Sequence, residues 1–113
     1  MKMVLSHGGG ALPYLLGRLS RNYEMHRDDG YADPGEQMRR LWYDTVLFDP
    51  GALRFLCGCF GAERVVLGSD YPFPIGDMTP CRIVHEAGLP EAETSAILGD
   101  NAAGLFGISG GGK

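Results

Sequence analysis

Two residues with acid–base chemistry occupy matching settings along the chain. His7, in Ser6-His7-Gly8-Gly9-Gly10, follows the short apolar run Met3-Val4-Leu5, and Asp70, in Gly68-Ser69-Asp70, follows Val65-Val66-Leu67. A third polar residue, Asp44, lies in the aromatic and β-branched segment between them. In β/α folds the loops after the carboxyl ends of the strands carry the site, so His7, Asp44 and Asp70 are the residues to inspect. Each has an ordinary structural use: a histidine before three glycines as a packed loop residue, a strand-end aspartate as a cap. Their coincidence is what singles them out. A neutral imidazole and a carboxylate facing one crevice suit a metal-bound water or general acid–base catalysis. The other two histidines, His26 in a polar loop and His85 in a helix, have no partner at ligand spacing and read as surface residues.

The elements that must position these residues alternate regularly. Residues 3–5 are a buried strand stopped by residues that permit unusual backbone angles. From Ala11 to Tyr23, Leu12, Leu15, Leu16 and Leu19 recur at three- and four-residue intervals, with Pro13 tolerable in a first turn, which predicts a helix. Residues 26–35 are polar and turn-rich, with a short helix expected around 36–40. Residues 41–46 are strand-like, and Asp49 is placed to cap a helix with Leu53, Leu56, Cys57 and Phe60 on its apolar face. Residues 65–67 form the best-defined strand. Two prolines in Tyr71-Pro72-Phe73-Pro74 then exclude a helix and predict a rigid loop over 71–77. Helices are expected at 79–87, 91–98 and 100–106. The order β-α-β-α-β-α-α, with nearly continuous apolar strands, is that of an α/β parallel sheet covered on its faces. Three strands leave two open edges, which calls for something to complete the sheet.

At 113 residues the chain supplies one domain at most, and its net charge of −4 is spread without any Lys/Arg run that could track phosphates. Nucleic acid is therefore not an expected partner. The N-terminus, with a three-residue apolar stretch, resembles neither a signal peptide nor a membrane span, and with three cysteines and no C-x-x-C the expectation is reduced thiols in the cytoplasm. Cys57 and Cys59 lie in an apolar segment and read as packing residues. The glycine-rich end at 109–113 is expected to be a flexible tail.

Four segments carry a resemblance to a known family: Ser6-His7-Gly8-Gly9-Gly10-Ala11-Leu12-Pro13-Tyr14-Leu15-Leu16-Gly17-Arg18; Tyr43-Asp44-Thr45-Val46-Leu47-Phe48-Asp49-Pro50; Arg64-Val65-Val66-Leu67-Gly68-Ser69-Asp70-Tyr71-Pro72-Phe73-Pro74; and Gly99-Asp100-Asn101-Ala102. In order and spacing they resemble consecutive motifs of the amidohydrolase-related decarboxylases, the aminocarboxymuconate-semialdehyde decarboxylase kind. The resemblance implies a partial TIM barrel, a (βα)3 fragment equivalent to strands six to eight plus a C-terminal helix, spanning residues 1–108. It also implies zinc as cofactor, a small carboxylic acid as substrate, and either decarboxylation or hydrolysis as the reaction. Asp70 would correspond to the metal-ligand aspartate after strand eight, and His7 to the histidine that activates the metal-bound water. Arg18 would correspond to an arginine reaching a substrate carboxylate in the neighbouring subunit, a task suited to a planar guanidinium; on sequence alone it reads as a solvated helix residue. The family's His-x-His pair on strand one and histidine on strand five have no counterpart here. The expectation is a fragment inactive alone, self-associating or completed by another chain, with a non-catalytic interaction module as the alternative.

Overall fold

A computed structural model describes residues 2–108, so the tail at 109–113 lies outside the described residues. Strands β1 (Val4–Leu5), β2 (Trp42–Asp44) and β3 (Val65–Val66) form a parallel sheet in the order β1-β2-β3. The register pairs Leu5 with Tyr43, Tyr43 with Val65 and Asp44 with Val66. All three carboxyl ends therefore lie on one edge, as the alternation of apolar runs and helices predicts. Each strand is shorter than expected: Leu41, Thr45, Val46 and Leu67 lie outside the strands, and Met3 contributes only its carbonyl, which accepts the Trp42 N–H at 2.9 Å.

The first crossover is helix α1 (Leu12–Met25), a 3-10 turn at Arg27–Asp29 and helix α2 (Pro34–Met38). Helix α1 runs two residues past the expected end and closes where the His26 ring nitrogen Nδ1 meets the Asn22 carbonyl at 2.9 Å. The short helix expected at 36–40 begins earlier, at Pro34, because the Asp33 carboxylate accepts the Gly35 N–H at 2.9 Å and Pro34 fits a first turn. Helix α3 (Pro50–Phe60) starts as predicted: Asp49 accepts N–H groups from Gly51 and Ala52, at 3.4 and 3.1 Å. Its buried face is Leu53, Leu56, Cys57 and Phe60.

After β3 the chain makes the expected loop and then helix α4 (Cys81–Glu86), two residues later than predicted because Asp77 accepts the Thr79 N–H at 2.8 Å and fixes a turn there. The two last helices are continuous. Helices α5 (Glu91–Ser95) and α6 (Asn101–Phe106) are joined by a π-helical turn at Ala96–Asp100, so Gly99-Asp100 widens the helix where a break was expected. From there Asn101 Nδ2 donates to the Ala62 and Val65 carbonyls, both at 2.8 Å, and pins α6 to the start of β3.

The core lies between β2, β3, α3, α4 and the π-turn: Tyr43, Leu53, Leu56, Val65, Val84 and Ile97 are almost completely buried. The Tyr43 and Phe60 rings stack at 4.6 Å between centroids, and the Tyr43 hydroxyl donates to the Met38 carbonyl at 2.7 Å. By contrast, the leucine stripe of α1 is only half-covered, with Leu15 40% exposed and Tyr14 84% exposed. No described helix is long and apolar enough to cross a membrane.

Candidate functional site at the carboxyl edge of the sheet

His7 begins a 3-10 turn (His7–Gly9) directly after β1, and Asp70 lies four residues after Val66. Both have left-handed backbones, with φ of +56° and +62°. A third left-handed residue, Phe48 at φ +57°, follows β2, so each strand is succeeded by one non-glycine residue in this sparsely populated region. Histidine and aspartate tolerate it better than most side chains, but it still costs about 1–3 kcal/mol per residue and tends to collect at functional sites.

The glycines beside His7 have steric reasons. A Cβ on Gly8 would come within 2.7 Å of the Leu47 side chain, and one on Gly9 within 2.8 Å of the Tyr43 ring. The loop after β3 closes on itself through Phe73 N–H to Asp70 O at 3.0 Å, Gly76 N–H to Phe73 O at 2.8 Å and Asp77 N–H to Ser69 O at 2.6 Å. Its Tyr71–Pro72 peptide is cis.

His7 is exposed and Asp70 half-buried, and neither side chain forms a hydrogen bond within the described residues. Their chemistry is not consumed by the fold. Asp44, between them on the central strand, is used differently: its Oδ1 accepts N–H groups from Gly8 at 3.0 Å and Val46 at 3.1 Å. With β2 in the middle, β1 and β3 are two strand spacings apart, ~10 Å by ordinary geometry. The topology thus brings His7 and Asp70 to one sheet edge and leaves their side chains to cover the remaining gap.

It does not bring Arg18 there. Arg18 is exposed on α1 and lines a shallow groove of about 290 Å³ with Leu19, Arg21, Asn22 and Met25, all of the same helix. A larger hollow of about 370 Å³ lies beside the edge, against Phe48, Ile75, Asp77, Met78, Arg82 and Ile83. His7 and Asp70 are not among its walls. His26 and His85 are exposed, as expected. Cys57 is buried, and burial, reinforced by Glu93 and Glu63, pushes its thiol up to about 11, which suits packing and not nucleophilic chemistry. Sequence reasoning passed over Thr45, whose buried hydroxyl accepts the Gly68 N–H at 3.0 Å. A threonine in a β-branched run gives no signal that separates this use from strand packing.

Among the described residues no group of three or more His, Cys, Asp or Glu side chains could hold a metal ion. His7 and Asp70 alone do not make a complete catalytic site, which ordinarily needs three protein ligands and an open position.

The amidohydrolase family model matches residues 1–108. The 2-amino-3-carboxymuconate-6-semialdehyde decarboxylase of Dictyostelium discoideum is 31% identical over 113 residues, covering 96% of this chain and 32% of that protein. Among solved structures, 5-carboxyvanillate decarboxylase from Sphingomonas paucimobilis superposes with a TM-score of 0.81 at 31% identity, covering 96% of this chain and 34% of that one. A Polaromonas dihydroxybenzoic acid decarboxylase, with bound manganese and the inhibitor 2-nitroresorcinol, shares the fold with a TM-score of 0.78 at 21% identity, over 95% of this chain and 34% of its own. The chain spans about a third of the length of these relatives. The family match over nearly the whole sequence, on an α/β framework shared with decarboxylases, shows that this chain belongs to the amidohydrolase family.

Proposed function

We propose that the chain supplies the last third of a metal-dependent decarboxylase barrel acting on a small carboxylic acid such as aminocarboxymuconate semialdehyde. Its three strands then correspond to strands six, seven and eight. The observation that carries this reading is the placement of His7 and Asp70 at one carboxyl edge, each in a left-handed conformation and each with a side chain not engaged by the fold. In this reading the Asp70 carboxylate is a metal ligand, and the His7 imidazole exchanges a proton with the substrate or its attacking water. Arg18, remote on α1, meets a substrate carboxylate across an interface between subunits. The described donors do not complete a site for zinc or manganese, so no step of the reaction is routed through a metal on this chain alone.

It follows that the isolated chain binds metal weakly and does not turn over. A Mn²⁺ titration of the isotope-labelled chain tests the site: paramagnetic broadening is expected at His7 and Asp70 together, and to fade in Asp70→Asn. Calorimetry with Zn²⁺ and an assay of CO₂ release from 2-amino-3-carboxymuconate-6-semialdehyde test the rest. Tight stoichiometric zinc binding with metal-dependent turnover would show that copies of this chain pool their ligands. Broadening at neither residue would remove the site assignment.

A second reading, an interaction module without catalysis, draws on the exposed apolar side chains near the site, among them Tyr71, Phe73, Ile75 and Met78.

A further inference from the structure

We propose that Asp44, the last residue of the central strand, and Thr45, which follows it, are positioning residues that yoke the loop bearing His7 to the loop bearing Asp70. The proposal rests on the reading of those two residues as one site, and deepens it by naming what sets their separation.

The sheet ladder cannot do so. Backbone pairing is registered only as far as Leu5 with Tyr43 and Asp44 with Val66, short of both loops. Beyond that register, among the described residues, the hydrogen bonds that link the three strand-end loops come from two side chains. Asp44 Oδ1 accepts the N–H of Gly8, the residue after His7, at 3.0 Å. The same oxygen accepts the Val46 N–H at 3.1 Å, which fixes the carboxylate relative to its own strand. Thr45 Oγ1, in a residue only 2% exposed, accepts the Gly68 N–H at 3.0 Å and lies 3.4 Å from the Gly68 carbonyl, to which it donates. Gly68 precedes Asp70 by two residues.

The contacts are close as well as polar. A Cβ at Gly68 would lie 2.9 Å from Val46 Cγ2 and 3.3 Å from Asp44 Cβ, so the backbone leading to Asp70 rests directly on the central strand. On the other side Gly8 is buried against Leu47. Because β2 is the middle strand of the order β1-β2-β3, two successive residues at its carboxyl end have one of these loops on either side within reach. Both loops carry a left-handed non-glycine residue, a conformation that persists only where the surroundings hold it.

The test uses amide hydrogen exchange in the labelled chain, with Mn²⁺ alone as a probe of the site. In Asp44→Ala, exchange at Gly8 is expected to rise roughly tenfold, as for a lost buried hydrogen bond, while Gly68 stays protected. Asp44→Asn keeps an acceptor oxygen and should stay near wild type. Thr45→Val should expose Gly68 selectively, and Thr45→Ser, which keeps the hydroxyl, should not. Wild-type Mn²⁺ broadening should reach His7 and Asp70 together, and in Asp44→Ala or Thr45→Val one of the two should drop out. Equal loss of protection at Gly8 and Gly68 in every variant, or undiminished protection of Gly8 in Asp44→Ala, overturns the yoke. If Asp44→Ala does not fold, the Asn variant decides: a wild-type Gly8 amide shift supports the yoke and a random-coil shift overturns it. Absence of Mn²⁺ broadening in the wild type removes the functional reading instead, and the exchange pattern still decides the yoke.

Discussion

Asp70 illustrates how a single residue can work against the fold that carries it. Its φ of +62° is unfavourable for any side chain with a Cβ, and its carboxylate makes no hydrogen bond among the described residues that would repay the strain. Asp70→Gly should therefore raise the unfolding free energy by about 1 kcal/mol, read from urea melts, because glycine accepts this conformation at little cost beyond its unfolded-state entropy. The same substitution should abolish Mn²⁺ broadening at His7. Buried titrating residues behave differently. Burial raises Cys57 from an ordinary 9.0 to about 11, and burial with the nearby Cys59 raises Tyr43 from 10.0 to about 12. Both groups are neutral when protonated, so the folded chain resists their ionisation more than the unfolded chain does. That contribution is complete below pH 9 and lost as pH climbs through 9–12, at most about 3 kcal/mol per group. The urea midpoint should fall over that window, and Cys57→Val should flatten the part below pH 11. The strand-end placement of His7 and Asp70 and the packing role of Cys57 could be read from residue type and neighbours; the left-handed angles could not, since nothing local distinguishes a strained aspartate from a relaxed one.

At the scale of elements, glycines show where the backbone is crowded and where it is merely weak. Gly76 sits inside the loop after β3, where an added Cβ would approach the carbonyls of Phe73, Asp70 and Ser69 at 2.9, 3.1 and 3.2 Å. These are main-chain atoms held by the loop's own hydrogen bonds, so Gly76→Ala should cost about 1–3 kcal/mol and shift the Asp70 resonances. Gly58, in the interior of α3, faces open space, and Gly58→Ala should stabilise the chain by about 0.5–1 kcal/mol. Thermal and urea unfolding of the pair separates the two uses. Element types were legible because signals agreed: the prolines at 72 and 74 excluded a helix, and Asp49 marked the start of α3. Boundaries failed where two signals competed. Asp33 with Pro34 began α2 ahead of its apolar residues, and the glycine at 99, read as a break, became a π-turn once Asn101 found the Ala62 and Val65 carbonyls. Such long-range partners, 36 and 39 residues away, leave no local trace.

For the whole molecule, the geometry is that of a slice. The Cα radius of gyration is 15.2 Å, against about 13 Å for a compact domain of this length. The sheet has three short strands and two open edges, and at the β1 edge Met3 and Val4 are 40% and 38% exposed. Tyr14 and Leu15 on α1 and Phe55 on α3 add apolar surface on the helical side. Unpaired strand edges expose a row of N–H and C=O groups that template further pairing, and nothing among the described residues blunts the β1 edge except Lys2, whose Nζ is turned to the Leu105 carbonyl at 3.2 Å. The isolated chain should therefore self-associate, with an average mass in sedimentation that rises with concentration. Two substitutions distinguish the route. Val4→Lys places a charge on the edge strand and should reduce association if edge pairing drives it, whereas Tyr14→Glu should do so if the α1 face is the contact. A monomer over a wide concentration range, with a compact hydrodynamic radius, would mean that the chain closes its own surface. The exposure of Leu15 and the leucine stripe around it argues against that outcome, since α1 has the apolar periodicity of a buried helix and too little of the chain to bury it against.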